Sequence, residues 1–200
     1  MFKKGIVMMF AALLCAPAVF AAPEEMTGKT DLTVDGFADI YKDSSQDAAL
    51  NLMYRLAYNV NDNFAVGVES GYYFDSKSSI GGINLGDLNG IPLFGDLIVR
   101  FPNQSSVEPY GVLALGAIFW NFDESSLVKS AGVTASVDTG FAAKLAGGVD
   151  WFMNDHWAVN VEGGYIFSNA TATVSGGGAS ISDKSDMDHW VVGGGLKYVF

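Results

Sequence analysis

Two hundred residues suit one domain, and a net charge of −11, from 11 basic against 22 acidic side chains, excludes a nucleic-acid or polyanion partner, since such partners reward basic surfaces. Half the residues are hydrophobic, yet beyond residue 21 no apolar run approaches the roughly 20 residues that cross a bilayer as a helix. The single cysteine, Cys15, falls in the first segment, which excludes disulfides and zinc–thiolate sites from whatever follows it.

That first segment reads as an export signal. Lys3 and Lys4 form a basic region, residues 5–14 are apolar, and Val19-Phe20-Ala21 sets small side chains at −3 and −1 of a cleavage site. Cleavage is expected after Ala21, leaving residues 22–200 as one domain with a net charge of about −13 by the same count. Leu14 is too large for the residue before a lipid-bearing cysteine, so Cys15 leaves with the signal.

Eight stretches then alternate apolar and polar residues: 31–41, 49–60, 64–74, 91–101, 110–122, 140–152, 157–167 and 189–200. Alternation puts successive side chains on opposite faces of a strand, and each stretch is near the roughly 9–11 residues that a tilted transmembrane strand requires. Where charges occur they share a parity. Asp35 and Asp39 lie on one face of the first strand, Asp96 and Arg100 of the fourth, Lys144 and Asp150 of the sixth. Arg55, Glu69, Glu162 and Lys197 stand opposite the apolar set of their own strands. The fifth strand carries no charge; it is read with Leu113, Leu115 and Phe119 inside. Connections alternate between short (61–63, 102–108, 153–156) and long (42–48, 75–90, 123–139, 168–188), as in outer-membrane barrels with short periplasmic turns and longer outer loops. The last long connection is rich in Gly, Ser and Asp, and residues 176–180 are expected to be a flexible tip.

The outward parity sorts aromatics to the strand ends. Tyr58, Phe64, Phe101, Tyr110, Trp151, Trp157, Tyr198 and Phe200 fall at the short-turn end, and Tyr72, Phe74, Phe141, Tyr165, Phe167 and Trp190 at the long-loop end. Two aromatic girdles at two water–lipid interfaces explain this sorting. The fold expected is all-β: an eight-stranded antiparallel up-and-down transmembrane β-barrel, monomeric, in the cell outer membrane, bathed in lipid and lipopolysaccharide.

The final strand, WVVGGGLKYVF, ends on Phe200 with Tyr198 two residues before it and Gly195 five before it. It resembles the C-terminal signal by which the barrel-assembly machinery recognises outer-membrane barrels, with Gly193 where a polar residue is usual. EPYGVLALGAIFW and FAAKLAGGVDWFMNDHWAVNVEGGYIF resemble the fifth to seventh strands of OmpA/OmpW-type eight-stranded barrels. The resemblance covers residues 22–200 and implies a barrel domain alone, without a peptidoglycan-binding domain after it.

Ten charges are expected inside: Asp35, Asp39, Arg55, Glu69, Asp96, Arg100, Lys144, Asp150, Glu162 and Lys197. Buried charges must pair, so Arg55 is expected near Glu69, Lys144 diagonal to Glu162, and Lys197 facing Asp35 or Asp39. A lumen plugged by these pairs is favoured over a polar pore, because eight strands leave room for little besides side chains. Three roles follow. A structural or surface-interaction barrel comes first. A conduit for small, apolar solutes is what resemblance to the OmpW type implies. A lipid A-modifying enzyme would rest on His189, with Ser185, Asp186 and Asp188 as sequence neighbours, and is the least favoured. No cofactor or catalytic residue is expected. His156 and His189 lie at opposite ends of their strands, so no metal site is expected either.

Overall fold

In a computed structural model, described over residues 25–41, 49–80, 83–126, 130, 133–176 and 179–200, the chain is a closed barrel. The export signal and the connection 42–48 lie outside the described residues. Eight staves run antiparallel in sequence order: β1 (Thr30–Tyr41), β2 (Ala49–Asn59), β3 (Phe64–Ile80), β4 (Ile83–Arg100), β5 (Val107–Glu124), then β7 (Gly140–Phe152), β8 (Trp157–Gly176) and β10 (His189–Val199). Strands β6 (Val133–Val137) and β9 (Ala179–Asp186) flank the outer end of β8 instead of joining the wall. The ring closes because β10 pairs β8 on one side, from His189–Ile166 to Tyr198–Trp157, and β1 on the other, from Tyr41–His189 to Asp31–Val199.

Closure leaves no free edge in the eight-stave wall, and the pattern of burial follows the alternation residue by residue. In β2 every second side chain is buried, and Leu50, Leu52, Tyr54, Leu56 and Tyr58 cover the outside. An apolar outside is stable only against lipid, and a polar inside only if its groups find one another.

The long connections depart from expectation. The β3–β4 hairpin continues to Ile80 and Ile83, and β8 runs 20 residues, with β6 and β9 beside it. Residues 168–176 and 179–186 therefore form paired strands rather than a loop, and the centre of the expected tip, 177–178, lies outside the described residues. Their Gly, Ser and Asp content suggests a loop, but Ala172 and Val174 still alternate with Thr171, Thr173 and Ser175, and that period admits pairing.

The facing of β5 is also the reverse of the reading above. Leu113, Leu115 and Phe119 are 49%, 55% and 48% exposed and face lipid, while Tyr110, Val112, Ala114, Ile118 and Trp120 are buried inside. Register forces this: Ala114 pairs with Asp96 on one side and Lys144 on the other, and directly paired residues share a face. Tyr110 is thus a lumen residue, not part of a girdle. On the outside, Trp157 meets Tyr198 at 4.8 Å and Tyr165 meets Trp190 at 4.9 Å between ring centroids, at opposite ends of the wall. Tyr58, Phe64, Tyr72, Phe74, Phe167 and Trp190 are exposed on this surface, with Trp151 and Tyr165 half-buried.

A short segment before β1 folds across the short-turn end. The Asp62 carboxylate accepts from the Met26 and Thr27 amides at 2.9 and 3.1 Å, and Met26 packs with Phe152, Ala158 and Val199.

Candidate functional site

The interior is the one place where the sequence concentrates chemistry, and it is layered. Nearest the short-turn end, the Arg100 guanidinium donates to Asp31 at 2.8 Å, to Asp150 at 3.2 Å, to Glu108 at 3.4 Å and to the Asn59 side-chain carbonyl at 2.8 Å. Asn59 in turn donates to Asp31 at 2.8 Å, and Lys197 pairs with Asp150. A linking layer follows: Tyr110 donates to Glu162 at 3.1 Å, and Asn160 donates to the Tyr110 hydroxyl at 3.2 Å and to Asp35 at 3.4 Å.

Higher still is a second cluster. Arg55 donates to Asp96 at 2.8 Å and to Glu162 at 3.1 Å, and pairs with Glu69. Lys144 donates to Glu69 at 2.6 Å and to Glu162 at 3.1 Å. Each cluster sets two cations against three carboxylates, all nearly excluded from solvent. Such burial is tolerable only where charges are multiply engaged, as the two arginines, Lys144, Glu69 and Glu162 are here, while Asp31, Asp96 and Asp150 each keep one buried oxygen that accepts no hydrogen bond from the described residues.

Above the second cluster the character changes. Phe37, Met53, Phe94 and Ile166 fill the barrel, leaving beside Glu69 and Lys144 a cavity no larger than about one water molecule. Ile118, Trp120, Tyr73, Leu88, Val191 and Met187 continue this apolar filling toward the long-loop end. Tyr73 stacks near Trp120 at 5.6 Å and meets the His189 ring edge-on at 5.9 Å. Among the polar exceptions are Asp39, which accepts from Asn51 at 2.8 Å, and His189, whose Nδ1 lies 2.8 Å from the Met187 carbonyl and whose Nε2 lies 3.9 Å from Asp39.

All ten charges expected inside are buried there, but one partnership differs. Lys197 reaches Asp150, not Asp35 or Asp39. Its register neighbours are Thr33 and Ala158, and it leans over the Tyr110 ring at 5.2 Å toward the Arg100 layer. Asp31 and Glu108 are buried in the lumen as well, beyond the ten charges expected there, one at the start of the first strand and one at the end of the turn before the fifth. Their signal was available: Asp31 shares parity with Asp35 and Asp39, and Glu108 with Tyr110 on the true facing. His156 and His189 lie at opposite ends, His156 beside the Val199 carbonyl at 2.9 Å.

A charge-layered interior does not by itself name a family, and comparison with known proteins decides it. The model of the OmpW family matches residues 17–200. The chain belongs to the OmpW family. Among OmpW relatives, outer membrane protein W of Vibrio cholerae serotype O1 is 30% identical over 217 aligned residues, spanning 94% of this chain and 95% of its own. The crystal structure of OprG from Pseudomonas aeruginosa superposes with a TM-score of 0.73 at 19% identity, covering 88% of this chain and 99% of that one. The solution structure of E. coli outer membrane protein W gives 0.59 at 21% identity, covering 87% and 98%. The two structures share the fold of this OmpW-family chain, and its location is the cell outer membrane.

Proposed function

We propose that this OmpW-family barrel is a lateral conduit for small apolar solutes, open to the outside and to the outer leaflet but sealed toward the periplasm. What carries the reading is a break in the wall beside the apolar upper interior. The β3–β4 ladder runs from Phe64–Val99 to Ser70–Leu93, lacks the pairs joining Gly71 to Pro92 and Tyr72 to Ile91, resumes at Tyr73–Gly90, and shifts register before Ser76–Leu88.

The cause is chemical. Within a strand the N–H and C=O of one residue point the same way, and the Pro92 carbonyl faces β3, accepting from the Ser70 hydroxyl at 2.8 Å. Pro92 has no N–H to offer on that same seam. Opposite it stands Gly71, which adds no side chain to cover the gap. An apolar solute entering among Tyr73, Phe94 and Trp120 finds charge below it and the weakest stretch of wall beside it. Movement of those side chains is required, since they fill the space in this conformation.

A purely structural or surface role is the second reading. The ion-pair layers serve it equally well, but the seam at Pro92 gives no advantage to a sealed scaffold. No catalytic step belongs to either. The test is uptake of naphthalene by cells carrying the Pro92→Ala variant, which restores a ladder donor. Uptake is expected to fall several-fold with unchanged heat-dependent gel migration, and unaltered uptake sinks the lateral route. Planar-bilayer recordings of the native barrel are expected to show no steady ion conductance.

A further inference from the structure

The strands beyond the wall form a blade with two unlike faces. β8 pairs β6 on one side and β9 on the other, and the registers align three residues at a time: Thr134–Ser175–Ser180 in one row and Ser136–Thr173–Ser182 in the next. These six hydroxyl side chains share the parity of Tyr165 and Phe167, so they continue the lipid-facing side of the barrel upward. The other parity holds Ala135, Val137, Ala172, Val174 and Ile181 together with Asp183 beside Ala172, and it continues the lumen side.

The hydroxyls form a lattice. Neighbouring strands put them about 4.8 Å apart and alternate residues about 6.8 Å apart. Thr173 and Ser182 lie within 2.9 Å and Ser175 donates to Ser180 at 3.0 Å, which fixes the side chains without exhausting them. Two hydroxyls joined by one hydrogen bond still offer one donor and three acceptors. That array suits a partner that is itself a polyol.

The vertical order says which polyol. Phe167 and Trp190 stand at the lipid interface. The next rows outward on this face hold Asn169 with Asp186, then Asp138, Thr171 and Lys184, and above them no charge occurs. From Phe167 to Thr173 the strand climbs roughly 20 Å, or about 15 Å of height at the tilt usual for such barrels. Acyl chain, phosphate, then sugar is the order of a lipopolysaccharide molecule standing in the same leaflet. In a chain with 22 acidic residues, the hydroxyl rows at the height of the sugars carry no charge, and the acids of this face, Asp138 and Asp186, stand below them beside Lys184.

We infer that the outer face of the β6–β8–β9 blade is a docking surface for the core sugars of lipopolysaccharide. The inference is independent of solute passage, which concerns the inner side and the seam. The test titrates the folded full chain in detergent with lipopolysaccharide bearing its inner core, and separately with lipid A, which lacks those sugars. Several weak hydrogen bonds together predict about tenfold tighter binding of the core-bearing form. The Thr173→Val/Ser182→Ala double variant brings the two affinities within about twofold by losing those bonds, and Val174→Thr on the inner face preserves the preference. Ser175→Ala/Ser180→Ala serves as the second variant should the first not fold. Equal affinity of the native chain for both glycolipids overturns the inference, as does a preference that survives both double variants or disappears in Val174→Thr.

Discussion

Below Phe37 and Phe94 the barrel interior is held by charge, with Arg55, Lys144 and Arg100 each shared among carboxylates from several staves and Lys197 paired with Asp150. Above them it is held by packing, with Ile118, Trp120 and Tyr73 filling the same cross-section. The wall differs in the same sense. The ladder beside the charged half is continuous, whereas that beside the apolar half is broken at Pro92. One half is therefore specified by mutual compensation, where no member can be spared. The other is specified by shape, where a single side chain can move without stranding a charge.

Four substitutions probe that contrast, each read as a shift in urea stability of the folded barrel in detergent. Arg55→Met leaves Glu69, Asp96 and Glu162 with Lys144 alone; uncompensated buried charge predicts a loss of about 3–5 kcal/mol. A loss below that of any upper-half truncation breaks the contrast. Ile118→Ala removes apolar volume from a site closed to solvent and predicts about 2–4 kcal/mol, with no ion conductance gained. Gly148→Ala sharpens the role of the linking layer. A Cβ there would meet the Tyr110 Cζ and hydroxyl at 2.5 Å and the Val161 carbonyl at 2.6 Å, so Tyr110 must leave Glu162, predicting about 1–3 kcal/mol. Asp62→Ala frees the segment at Met26 and predicts about 1 kcal/mol, together with faster proteolysis before Thr30.

The wall was legible in the sequence because a period of two is a local property, and charge marked the inner parity wherever a strand carried one. β5 shows the limit. With apolar residues on both faces it held no mark of its own, and only its neighbours Asp96 and Lys144 settle which side faces in. The partner of Lys197 was illegible for another reason: tilted staves bring side chains together by height, so Asp150 on β7 is reached from β10 over the small Ala158 of β8 between them. The extension of β8 was hidden by composition, since Ser and Gly signal loops although Thr171, Ala172, Thr173 and Val174 keep the strand period. The seam at Pro92 was visible as a proline within a strand pattern, yet the side it weakens depends on where its carbonyl points, which only the structure gives.

The two ion clusters between them take a side chain from all eight staves: Asp31, Arg55, Glu69, Asp96 with Arg100, Glu108, Lys144 with Asp150, Glu162 and Lys197. A half-formed sheet lying open in the bilayer would present several of these groups to hydrocarbon without their partners, at about 2–4 kcal/mol for each basic group at mid-depth. Stepwise insertion of hairpins is therefore uphill until the last strand arrives. The barrel's assembly must be concerted, with the charged faces sheltered from lipid until β10 meets β1.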